Sequence, residues 1–152
     1  VPANRYAYYL TPKGFSEKAR LTGEYLTQGF QLFRLSRGQI VEIMKICESQ
    51  GFHKLVLFGA TDITEIAILC AQEFDLEVIG VLVESAQEIR YGNVRVSHDI
   101  SELGDFDAIV FTSLNQSGEN MRKLHRYCDE SRIFIPPILE FQPSTKLEEE
   151  KF

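Results

Sequence analysis

The chain is poor in the residues that hold metals and disulfides: its 152 residues include only three cysteines and three histidines. Cys47, Cys70 and Cys128 lie far apart on helical patterns, with no Cys-x-x-Cys spacing. An odd count of this kind argues against a disulfide framework and a zinc site, and reads as buried thiols in a reducing, cytoplasmic setting. His53, His98 and His125 form no constellation. His125 and Cys128 could share a helix face, but two ligands do not close a zinc site. No Ser-His-Asp arrangement and no paired catalytic carboxylates follow from the spacing, and Asp105 and Asp107 flank Phe106 in what reads as a solvated turn. The expectation is a protein with no catalytic residues. No run approaches the roughly 18 apolar residues of a membrane span, and no basic-then-apolar leader opens the chain, so no membrane partner is expected.

Charge is unevenly spread. Residues 1–37 carry six basic side chains (Arg5, Lys13, Lys18, Arg20, Arg34, Arg37) against two acidic ones (Glu17, Glu24), a net of +4. The remainder holds 10 basic and 20 acidic groups, a net of −10 within the overall −6. A sign change of this size suggests two jobs, with a basic part that can approach an anionic partner and an acidic part that cannot.

Asn4-Arg5-Tyr6-Ala7-Tyr8-Tyr9-Leu10 has the pattern of an aromatic-rich strand. It has no sheet of its own nearby and reads as the last piece of something begun upstream of Val1. Thr11 can cap a helix, and Pro12 suits the first helical position, where its missing N–H costs nothing. The helix is expected to run to about Leu35, with Phe15, Ala19, Leu26, Phe30 and Phe33 on one stripe. Such a stripe, on a helix of roughly 20 residues and about 30 Å, has to be buried against something. Nothing adjacent in sequence offers the surface, which points to a homodimer through this helix or to the upstream portion. At Ser36-Arg37-Gly38 the pattern is interrupted. Ser36 with Gln39 three residues on is a capping-box signature, so a second helix is expected from there through Ile40, Ile43, Met44 and Cys47, ended by a left-handed Gly51.

Short apolar runs then alternate with helical patterns. Strands are expected at Leu55–Phe58, Val78–Val83, Val94–Val96, Ala108–Phe111 and Arg132–Ile135. Helices are expected at Asp62–Phe74, with Ile63, Ile66, Ala67, Leu69 and Cys70 inward, and at Glu119–Cys128, with a short helical turn at Asp99–Leu103. This alternation predicts an α/β fold with a doubly wound parallel sheet in the order 3-2-1-4-5. The tail Thr145–Phe152, with Glu148-Glu149-Glu150, reads as solvated.

Two segments carry a resemblance to known families. Tyr6-Ala7-Tyr8-Tyr9-Leu10-Thr11-Pro12-Lys13-Gly14-Phe15-Ser16-Glu17-Lys18-Ala19-Arg20-Leu21-Thr22 resembles the wing strand and following helix of MarR-type winged-helix regulators, in particular the variety associated with exopolysaccharide loci. Val56-Leu57-Phe58-Gly59-Ala60-Thr61-Asp62-Ile63-Thr64-Glu65-Ile66-Ala67 is similar to the first strand-turn-helix of Rossmann-like domains sometimes fused behind such winged helices, a unit that also opens some sugar acyltransferases. The resemblance implies a fragment of a DNA-binding transcriptional regulator in three parts: a winged-helix remnant over 1–36, a Rossmann-like effector or dimerisation domain over 37–142, and an acidic tail over 143–152. By analogy Arg5 sits near the wing and reaches phosphate or the minor groove. The helix-turn-helix that would enter the major groove is missing from this sequence, so weak or absent DNA binding is expected of the chain alone.

In such folds the first βα turn holds a nucleotide, because helix N–H groups and the helix dipole favour phosphate. Here the turn is Gly59-Ala60-Thr61-Asp62, and only the first glycine of the dinucleotide fingerprint is present; Thr61 and Thr64 occupy the other two places. Asp62 and Glu65 form a capping pair that competes with an anion for the same N–H groups. Glu84, at the end of the second strand, stands where an acid often holds a ribose hydroxyl, or is simply a loop acid. Thr112, Ser113 and Asn115 supply a second wall for a small polar ligand, or else Ser113 and Asn115 cap the next helix. The expectation is no resident cofactor; a neutral or cationic effector is compatible with these carboxylates, and an NAD(P)- or nucleotide-sugar-binding enzyme domain is the alternative.

Overall fold

The computed structural model describes residues 12–84 and 89–140. The aromatic strand pattern with Arg5, the Thr11 cap and the acidic tail lie outside these residues. The chain divides into two compact units, Val1–Leu35 and Ser36–Phe152.

One helix, α1, spans Pro12–Ser49 without a break. The expected interruption at Ser36-Arg37-Gly38 does not occur. Ser36 does not cap a new helix; it is buried on the helix flank, and its Oγ has no hydrogen-bond partner. Gly38 costs a helix only about 1 kcal/mol, and burial of Ile40, Ile43, Met44 and Cys47 outweighs that. The helix closes as expected at Gly51, where φ is 77°. Phe52 N–H donates to the Cys47 carbonyl at 2.8 Å and Gly51 N–H to Glu48 at 3.2 Å, a Schellman closure. Over residues 16–35 every position of α1 is exposed.

The second unit is α/β. Strands β1 (Lys54–Phe58), β2 (Glu77–Leu82), β3 (Val96–Ser97), β4 (Ala108–Phe111) and β5 (Ile133–Phe134) form one sheet. All four strand pairings are parallel and the order is 3-2-1-4-5, as the apolar pattern predicts. Helix α2 (Asp62–Ala71) follows β1, α3 (Gly118–Tyr127) follows β4, and a short α4 (Pro137–Glu140) follows β5. Leu55–Phe58 and Ala108–Phe111 are wholly buried at the sheet centre, where Phe58 and Phe111 stack with ring centres 5.7 Å apart. Leu69, expected to face inward on α2, is 61% exposed. The inward stripe of this short helix is filled by Ile63, Ile66, Ala67 and Cys70, which leaves Leu69 on the opposite edge.

Asp107 is not the solvated turn residue its neighbours suggest. Its Oδ2 accepts from the backbone N–H of His53 and of Lys54, each at 2.9 Å, so it fastens the start of β1 to the start of β4. The Arg132 guanidinium donates to the Asp107 carbonyl and, at 2.7 Å, to that of Phe106, and lies 5.5 Å from the Phe106 ring centre. The Lys54 N–H foremost, then the His53 N–H and the Arg132 charge, hold the Asp107 carboxyl below its ordinary range. A lowered folded-state value gives a contribution that is complete well above the unfolded value of about 3.9 and is lost as pH falls through the folded one. Asp107→Ala should therefore cost about 1–3 kcal/mol in urea denaturation at neutral pH. The gap to wild type should shrink as the pH drops below about 4.

Candidate functional site

The order of strand addition reverses between β1 and β4, and the crevice above their carboxyl ends is where open α/β sheets receive ligands. Here the two strand ends come unusually close. Gly59 has φ 119°, and a Cβ on it would lie 2.4 Å from the Ser113 backbone nitrogen and 2.5 Å from its Cα. The glycine is thus required by the β4–α3 loop, which occupies the space a side chain would need.

Three threonines lock this junction. The Thr64 hydroxyl donates to the Gly59 carbonyl at 2.6 Å and accepts from Thr61 N–H at 3.0 Å. Thr61 Oγ1 donates to the Thr112 carbonyl at 2.6 Å and accepts from Ile63 N–H at 3.1 Å. Thr112 Oγ1 lies 2.9 Å from the Gly59 carbonyl and 3.0 Å from Thr64 Oγ1. Thr64 and Thr112 are fully buried. The capping box of α2 is therefore Thr61 with Thr64, and the expected Asp62–Glu65 pair is displaced by one residue. Asp62 and Glu65 remain in the first turn as uncapping, exposed acids. What decides between the two registers is Thr112, which only the fold brings to Thr61 and Thr64.

The crevice over this lock has a volume of about 210 Å³ and is lined by Gly59, Ala60, Thr61, Val83, Glu84, Ser113 and Asn115. Six of the eight expected ligand-facing residues meet there. Asp62 is outside the lining, and Thr112 lies beneath it as part of the lock. Ser113 and Asn115 do not cap α3; Ser117 does, accepting from Asn120 N–H at 3.1 Å, while Ser113 Oγ accepts from Asn115 N–H at 3.0 Å. The sequence gives no warning of Asn120. It is buried on the first turn of α3, and its Nδ2 donates to Glu84 Oε1 at 2.6 Å and to the Asn115 carbonyl at 2.8 Å. It fixes the acid and the loop together.

The size and charge suit a small ligand. About 210 Å³ equals roughly seven waters at ~30 Å³ each, below the 300–1,000 Å³ of ordinary cofactor pockets. The N–H groups of Thr61, Ile63 and Thr64 are engaged within the protein, so the helix start has little to offer a phosphate. Among the described residues no nucleophile–base pair is assembled at the crevice. Elsewhere, burial pushes the Cys47 thiol up to about 11 and raises those of Cys70 and Cys128, which keeps all three protonated at neutral pH. No group of three or more metal-ligating side chains occurs among the described residues. Among them, too, no helix is long and apolar enough to cross a membrane.

Compared with known protein families, curated proteins and solved structures, the chain has no match.

Gly59 and Gly92 both have positive φ, but a Cβ on Gly92 meets nothing within 4 Å. Gly92→Ala should cost only the roughly 1–2 kcal/mol of left-handed backbone. Gly59→Ala should add about 1–3 kcal/mol of overpacking, visible as a clearly larger fall in melting temperature.

Proposed function

We propose that this chain is the C-terminal part of a MarR-type winged-helix transcriptional regulator, in which α1 pairs two copies and a Rossmann-like, doubly wound domain senses a small effector. The observation that carries the reading is the apolar surface of α1. Leu21, Tyr25, Leu26, Phe30, Leu32, Phe33 and Leu35 are 47–76% exposed on consecutive turns of one helix. Their spacing sorts them into two faces, with Leu21, Tyr25, Leu32 and Leu35 on one and Leu26, Phe30 and Phe33 on the other, and both are uncovered. A two-fold interface needs projections and recesses on the same surface. Phe30 and Phe33 supply the first, and Gly29, which has no side chain, opens space beside them.

The resemblance of residues 6–22 to a wing and its following helix supports a DNA-reading head on the amino-terminal side, and the +4 charge of residues 1–37 suits a polyanion. Arg5 is assigned to the wing on that resemblance alone. One arginine contributes little affinity, so DNA binding belongs to the intact winged helix. An effector that binds the crevice differently in two arrangements of the dimer would shift the heads between DNA-binding and non-binding states. The NAD(P)- or nucleotide-sugar-binding alternative is less well supported, because the crevice of about 210 Å³ is smaller than ordinary cofactor pockets and the helix beside it is self-capped.

In sedimentation velocity the chain should run as a dimer at micromolar concentration, and Phe30→Glu should convert it to a monomer whose α/β unit melts as before. The intact protein should retard DNA from its own promoter at low salt. No retardation there would overturn the regulatory reading.

A further inference from the structure

The geometry points to the crevice of Glu84, Ser113 and Asn115 as a site for a small organic ammonium compound, held by the Glu84 carboxylate with a hydrogen-bonding group a few bonds away on Ser113 and Asn115. The inference rests on the reading of the α/β unit as a ligand sensor and adds the ligand's chemistry.

Charge comes first. Among the described residues of the lining Glu84 carries the only ionisable side chain. Among the described residues Glu84 Oε1 is taken by Asn120, while Oε2 makes no hydrogen bond and remains to accept from a ligand. An ammonium group offers three donors and no acceptor, which matches a carboxylate presented in this way. Asp62, in the first turn of α2 and next in sequence to the lining Thr61, adds negative potential on that side. An anion would meet this field with only the neutral Ser113 hydroxyl and Asn115 amide to offset it, because the Asn120 amide hydrogens are both engaged and the helix N–H groups of Thr61, Ile63 and Thr64 are satisfied within the lock.

The remaining lining sets the rest of the ligand. Ser113 Oγ accepts from Asn115 N–H, so its own hydrogen is free to donate, and the Asn115 side-chain amide can both donate and accept. Val83 and Ala60 give a short apolar wall. The crevice volume of about 210 Å³ favours a ligand of few non-hydrogen atoms. A metal ion is a poorer fit, since one carboxylate and neutral oxygens are too few ligands for a divalent cation. The role of Asn120 is positioning: buried and doubly bonded, it holds Glu84 toward the crevice and links the acid to the Asn115 loop. A ligand bridging Glu84 and Asn115 would tighten the same link that joins β2 to the start of α3.

The test is an NMR titration of the 152-residue chain with ethanolamine and putrescine, and with acetate and inorganic phosphate as matched anions. Both amines should move the amide signals of Ala60, Val83, Ser113 and Asn115 saturably, and the anions should not. Glu84→Gln, which keeps an oxygen for Asn120, should weaken amine binding by at least about fivefold. Glu130→Gln, remote in the fold, should leave it unchanged, and thermal melts report whether each variant is folded. Signals that move with acetate or phosphate alone would overturn the ammonium assignment while leaving a ligand sensor. Equal weakening by Glu84→Gln and Glu130→Gln would overturn Glu84 as the counter-ion. No saturable shift at the crevice with any of the four compounds would overturn the site. A promoter-binding failure with amine binding intact would remove the regulatory reading and leave the site standing.

Discussion

The α/β unit depends on one close approach. Gly59 and the Ser113 backbone stand too near for any side chain between them, just past the last paired residues of β1 and β4, Phe58 and Phe111. Everything at the crevice follows from it. The threonine lock needs both strand ends in reach, since Thr61 and Thr64 come from the turn after β1 and Thr112 from the end of β4. Buried hydroxyls are costly unless satisfied, and each of these three finds partners. The lock caps α2 from within and so removes the donors on which nucleotide-binding folds rely. What is left is a crevice edged by the Glu84 carboxylate, beside a helix start whose Thr61, Ile63 and Thr64 N–H groups are engaged.

The helix α1 poses the opposite problem, apolar surface without a cover. The stripe that Ile40, Met44 and Cys47 bury continues in phase through Phe33 and Leu26, where it is exposed. Apolar surface left in water is unfavourable, and the proposed reading covers this stripe with the same stripe of a second copy.

The sheet was legible because its central strands are short and wholly apolar: Leu55–Phe58 and Ala108–Phe111 admit no other reading between their polar flanks. The parallel sheet then followed from alternation, and the order 3-2-1-4-5 came from the doubly wound class to which such alternation belongs. Local signals misled where two of them competed. Ser36 and Gly38 look like a helix boundary, but their cost is small beside the burial of Ile40, Met44 and Cys47 on the same helix. Asp62 with Glu65 and Thr61 with Thr64 satisfy the same spacing rule one residue apart, and a residue about 50 positions away decides between them. Asp107 and Asn120 were invisible for a related reason. Their partners, His53 and Lys54 for one and Glu84 for the other, are distant in sequence, and a polar residue's burial leaves no periodic trace. Side-chain roles that depend on tertiary neighbours are the part that spacing does not encode.

The most direct test of the account is hydrogen exchange across α1 as a function of chain concentration. If a second copy covers the helix, the amides of residues 21–35 should gain protection as concentration rises through the dimerisation range, while those of residues 40–47 and of β1 stay constant. Fast exchange over residues 21–35 at every concentration would contradict the paired helix on which the proposed function rests.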